Sequence, residues 1–229
     1  MTSKIVFCAA LISYLVFLLR FAWQGIIYLR AAGQGAAYPR FLSTIPTSVY
    51  IATLLDILLF RRVFSVDKLL WMGSWTFHVS FFFVALRHMR YFFPSLPDCL
   101  IFLQPIGVFF GYLLPVSLLF LIMLRVSQKK DRYVSSYNYV ITGMLFLISV
   151  TGVMMRNFFR PDLVVVKQFC LGVFGLSPAV LPESPAFLMH SVMFLVLLPY
   201  LPAHFFAAPF VNLEANSRKE ELRGIMHEA

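Results

Sequence analysis

The chain has 229 residues; 60% are hydrophobic, 13% are charged, the mean hydropathy is +0.82 and the formal net charge is +9. A soluble domain carries about 25% charged residues and cannot hide this much apolar surface, so the composition excludes a soluble fold, a disordered chain and a disulfide scaffold. No basic face recurs along a soluble helix, so the positive balance reads as membrane orientation and not as nucleic-acid binding.

A helix needs about 20 mainly apolar residues to cross a bilayer. The first such run extends from Ile5 to about Ile27, interrupted only by Arg20 and Gln24. It is too long for a signal peptide and is expected to be a retained span. Ser48 to Phe60 is apolar but short, contains Asp56 and is followed at once by Arg61 and Arg62, which predicts an interfacial or re-entrant helix. Further spans are predicted from Leu69 to Phe93, Leu100 to Val126, Tyr139 to Met155 and Pro185 to Phe210. The runs are continuous and do not alternate, which argues against a β-barrel. The expected fold is an all-α integral membrane bundle of five transmembrane helices over residues 1–211, with a charged cytoplasmic tail over 212–229. The stretch LVVVKQFCLGVFGL, between spans four and five, is expected to pack on the bundle as a short helix.

Basic residues set the orientation. With five spans, twelve lie on one side: Arg30, Arg40, Arg61, Arg62 and Lys68, then Arg125, Lys129, Lys130 and Arg132, then Arg218, Lys219 and Arg223. Six lie on the other: Lys4, Arg87, Arg90, Arg156, Arg160 and Lys167. The N-terminus is therefore expected outside and the C-terminus in the cytoplasm, in a multi-pass protein of the cell inner membrane.

Four of the five histidines fall inside predicted spans: His78 and His88 on the second, His190 and His204 on the fifth. Ionisable groups inside a bilayer are costly and mark functional sites by default. At 1.5 Å per residue, His88 and His190 each lie about 7–8 Å from the outer ends of their helices. His78 and His204 lie about 22 and 28 Å in. Because the two spans are antiparallel, the residues form an outer couple, His88 with His190, and an inner couple, His78 with His204. Fourteen residues at 100° leave His190 and His204 about 40° apart, on one face. Pro199 and Pro202 can kink the last span before His204.

Two imidazoles facing each other across a bundle suit six-coordinate haem iron, whereas zinc wants three or four convergent ligands. No C-x-x-C-H motif is present, so the haems would be non-covalent and b-type. With both axial positions filled by protein, the expected task is electron transfer between the two membrane faces. Two rival readings remain: a membrane anchor with one haem or none, and a proton-coupled transporter using a histidine relay. The transporter reading would call for inverted repeats, and none is visible.

This pattern of His78 and His88 on span two and His190 and His204 on the last of five spans resembles the gamma subunit of respiratory nitrate reductase. The stretch HSVMFLVLLPYLPAHFFAAP has that family's look around its last pair. LLDILLFRRVF ahead of WMGSWTFH is more similar to the cytochrome b subunits of heterodisulfide-reductase-like complexes, including those of sulfate reducers. The resemblance implies a diheme b-type cytochrome of anaerobic respiration with His78, His88, His190 and His204 as ligands. It implies a quinone pool, with menaquinone as a candidate cofactor, and a cytoplasmic iron–sulfur partner. Other membrane subunits and a periplasmic multihaem cytochrome c are further implied partners.

Arg87, Arg90, Arg156 and Arg160 cluster near outer helix ends, where they can pair with haem propionates or reach lipid headgroups. Arg61, Arg62 and Arg125 have the same two readings at the inner side. Gly107 and Gly111 form G-x-x-x-G, a helix-packing pattern first. Gly73, Gly143 and Gly152 can admit a porphyrin face or a neighbouring helix. Cys99 and Cys170 are candidates for an outer disulfide. No triad, P-loop, dinucleotide fingerprint or paired catalytic carboxylates occur, so bond chemistry by this chain alone is not expected.

Overall fold

The computed structural model describes residues 2–33, 45–127 and 136–228, and among these every regular element is helical. The elements are α1 (Thr2–Gly33), α2 (Thr47–Leu59), α3 (Arg61–Val66), α4 (Lys68–His88), α5 (Asp98–Phe102), α6 (Gln104–Ser127), α7 (Ser136–Asn157), α8 (Leu163–Phe174), α9 (Pro185–Leu197) and α10 (Leu201–Glu228). Short 3₁₀ turns occupy Met89–Tyr91 and Leu198–Tyr200. Five segments are long and apolar enough to cross a membrane: Ser3–Tyr28, Lys68–Tyr91, Gln104–Ser127, Asn138–Asn157 and Pro185–Glu220. Large apolar side chains such as Ile12, Leu19, Phe109 and Val116 point outward, as lipid-facing helices require. The chain is a multi-pass helical membrane protein. Arg40, Lys129, Lys130 and Arg132 lie outside the described residues, as does the side chain of Arg223.

Two boundaries differ from the expected spans, and prolines explain both. The third span does not start at Leu100: Asp98–Phe102 is a separate short helix and α6 begins afresh at Gln104. Pro105 has no N–H to continue the preceding helix, but it suits the first turn of a new one. The last span is broken at Leu198–Tyr200, where Pro199 and Pro202 each remove a helical donor, and then runs on as α10 to Glu228. Beyond Asn212 the helix is polar and carries a Glu214–Arg218 ion pair one turn apart.

The helices divide into two compact units. The first comprises residues 1–14 and 69–197, the second 15–68 and 198–229. In the first, α4 and α6 run antiparallel and close. A Cβ on Gly107 would fall 2.8 Å from Arg87 Cβ and 3.0 Å from the Phe83 carbonyl, and one on Gly73 would strike Phe120 and Leu121. Phe83 and Phe110 stack beside this contact. The G-x-x-x-G is therefore a packing motif. Next, α6 pairs with α7: Tyr112 donates to Asn157 at one end, and at the other Arg125 donates to the Asn138 carbonyl and to Thr142. Arg125 anchors helices in this way. In turn α7 packs on α9.

The short helix α8 opens on an Asp162 cap that accepts from the Val164 N–H. It buries Val166 and Phe169 against Val6 and Phe187, which is the packing expected of this segment. The Ser13 hydroxyl donates to the Leu195 carbonyl, whose helical donor would have been residue 199, a proline.

In the second unit α2 packs along α10. It ends at Phe60, which adopts a left-handed conformation (φ 51°) and turns the chain into α3. Asp56 pairs with Arg62 at 3.1 Å, and Asn216 of α10 bonds Thr53, Asp56 and Arg62 together. Tyr28 stacks on Phe206 and Phe210. Arg20 donates to the Pro199 carbonyl and lies over the Tyr200 ring, an account of this charge that the sequence does not offer.

Candidate functional site

In the first unit the site is assembled from residues of α4, α7 and α9. His88 is the last residue of α4, and His190 lies one and a half turns into α9. Their ring centres are 6.4 Å apart and their planes differ by 7°. Gly152 of α7 leaves room for the second ring, since a Cβ there would sit 3.4 Å from His190 Cε1. His88 keeps an exposed surface and His190 is half-buried.

Hydrogen bonds assign the ring nitrogens. His88 Nδ1 lies 2.7 Å from the Val84 carbonyl, which can only accept, so Nδ1 carries the proton and the lone pair sits on Nε2. His190 Nδ1 lies 3.0 Å from Thr151 Oγ1. That hydroxyl spends its own proton on the Leu147 and Ile148 carbonyls, so it accepts from Nδ1–H. His78, elsewhere on α4, follows the first pattern, with Nδ1 2.7 Å from the Ser74 carbonyl. His204 lies on α10 in the second unit, where it is exposed.

Arg87 and Arg90 lie near His88, and Arg156 lies near Arg87. Arg87 donates to the Gln104 carbonyl at 2.8 Å. Arg90 donates to the Tyr91 hydroxyl and lies over its ring. Arg87 feels the like charges of both Arg90 and Arg156, and none of the three forms an ion pair among the described residues. Such a set attracts anions, and carboxylates above all. Arg160 instead turns back to the Arg156 carbonyl.

The residues fit a six-coordinate haem iron. A metal–imidazole bond of about 2 Å on either side of an iron places the ring centres about 6 Å apart, close to what the pair shows. Among the described residues no three His, Cys, Asp or Glu side chains converge as a zinc site would need. Cys170 is a free, half-buried thiol whose burial pushes it up to about 11; the Cys99 side chain lies outside the described residues. Of the glycines named from the sequence, Gly73 is filled by α6, Gly143 faces open space and Gly152 faces His190. Thr151 was not legible as a site residue, because one threonine in an apolar span carries no distinguishing signal.

The chain is similar to a Hdr-like menaquinol oxidoreductase cytochrome b-like subunit of Archaeoglobus profundus, 28% identical over 183 residues that cover 67% of this chain and 54% of the relative. The subunit of the same description from Archaeoglobus fulgidus is 29% identical over 150 residues, 58% of this chain and 45% of the relative. The chain thus spans about half the length of the curated relatives it matches. No family model and no solved structure matches it.

Proposed function

We propose that this chain is a membrane b-type cytochrome subunit that passes electrons between menaquinol or a periplasmic cytochrome and a cytoplasmic iron–sulfur partner. The observation that carries the reading is the parallel His88–His190 couple, with Nε2 lone pairs presented by both rings. Haem b, when bound, would supply one-electron redox chemistry, and His88 and His190 would hold its iron. The chain's own residues do the rest. Nδ1 partners hold each imidazole in its ligating tautomer. Arg87, Arg90 and Arg156 offset the charge of two carboxylates. Apolar spans exclude water. The remaining span histidines, His78 and His204, are proposed on sequence grounds as ligands of a second haem b. Menaquinol and a multisubunit complex are proposed from the names of the two archaeal relatives. The outside N-terminus and cytoplasmic C-terminus rest on the twelve-to-six division of basic residues.

The test is a reduced-minus-oxidised spectrum of the purified membrane protein with a haem count. The reading predicts b-type α and Soret bands and about two haems per chain, given bis-His ligation. One haem per chain, lost in His190→Ala, would retain the outer couple and remove the inner one. No haem would overturn the reading.

A further inference from the structure

His78 and His88 each hold Nδ1 against the carbonyl four residues back on their own helix, Ser74 and Val84. No side-chain substitution removes such a partner. His190 has a side-chain partner in addition to a backbone one. Its Nδ1 faces Thr151 Oγ1 at 3.0 Å, on α7, across a helix interface. Thr151 is 5% exposed, and its hydroxyl proton is committed to the Ile148 carbonyl at 2.9 Å and the Leu147 carbonyl at 3.0 Å. Its remaining lone pairs therefore face the imidazole. The Ile148 carbonyl is a backbone hydrogen-bond partner of the same ring, so the hydroxyl shares the task with it, and the adjacent Gly152 gives Cε1 room. One turn of α7 thus fixes the proton position and the rotation of a ligand on α9.

We infer that Thr151 is the positioning residue for His190, holding its Nδ1–H tautomer and the ring plane that faces His88. This rests on the reading of the two histidines as a ligand couple, but it can fail separately. Outer partners of ligating histidines fix tautomer and orientation and raise ligand basicity, and their loss typically costs about 10–100-fold in metal affinity. Val replaces the hydroxyl by a methyl of similar volume, whereas Ser keeps the acceptor.

The experiment is ¹⁵N NMR of histidine-labelled full-length protein at neutral pH, comparing wild type, Thr151→Val and Thr151→Ser, with resonances assigned by single His substitutions. Wild type and Thr151→Ser are expected to show His190 as the Nδ1–H tautomer. Thr151→Val is expected to show a mixture of tautomers at His190 alone, with His78 and His88 unmoved as internal controls of folding. In haem-loaded protein the same Val variant is expected to raise the midpoint potential of one haem signal and to weaken that haem's retention by about tenfold or more. An unchanged His190 tautomer in Thr151→Val overturns the inference. So does an equal change at all three histidines, or a Ser variant that behaves like Val. The tautomer readout needs no haem, so a failure here is distinguishable from a protein that binds none.

Discussion

The two polar clusters of this membrane protein look alike in composition and behave oppositely. In the second unit Asp56, Arg62, Asn216 and Thr53 satisfy one another, carboxylate against guanidinium and amide against both. In the first, His88 and His190 face each other with aligned rings, and Arg87, Arg90 and Arg156 crowd without a carboxylate among the described residues. A closed network holds helices together. An open one, whose cations lack an acidic partner among the described residues, is where we propose that something else is held. Counting intramembrane charges does not separate the two cases; asking whether each charge is already answered does.

This contrast can be broken by exchanging the two kinds of damage. The largest effect is expected at the open cluster: His190→Ala should remove one haem's absorbance entirely while leaving thermal unfolding close to wild type, checked by haem-normalised spectra and a melting curve. Asn216→Leu should do the reverse, keeping haem content but destabilising α2 on α10 by about 1–3 kcal/mol, since it strands hydrogen-bonding groups of Asp56 and Thr53. If Asn216→Leu instead strips haem, the closed cluster is not merely a clip. Gly107→Ala should cost about 1–3 kcal/mol, because a Cβ would meet Arg87 Cβ and the Phe83 backbone, and a melting curve measures it.

Smaller effects sharpen the picture. Arg156→Gln removes a cation whose side chain makes no hydrogen bond among the described residues but adds to the positive field at Arg87. It should lower the midpoint potential of one haem by about 1 kcal/mol or less in redox titration, because a nearby positive charge favours the reduced form. Smallest is Cys170. With its thiol pushed up to about 11, alkylation should climb about tenfold per pH unit from 7 to 10, whereas a thiol at its usual 9.0 would level off. A plateau near pH 9 would show that α8 does not bury it.

Much of this was legible because long apolar runs permit only one spanning solution. Leu69–Phe93 and Tyr139–Met155 each needed only small adjustment at their ends. The approach of His88 to His190 was readable from helical rise along two antiparallel spans, and the break before His204 from its two prolines. What escaped reading depends on partners distant in sequence. Arg20 answers a carbonyl 179 residues away, and Thr151 answers a ring nitrogen 39 residues away. Neither pairing leaves a local pattern, since a backbone carbonyl has no letter and a threonine in lipid has many uses. The separate helix Asp98–Phe102 was missed because its apolar residues extend the third span's hydropathy, while Pro105 interrupts the backbone beneath.

The central claim is that the His88 and His190 rings face one iron from its two sides. Electron paramagnetic resonance of the oxidised protein tests it most directly. The account predicts low-spin ferric signals in wild type, with one of them lost or converted to high spin in both His88→Ala and His190→Ala. Signals unchanged in the two variants, or no haem signal in the wild type, would contradict it.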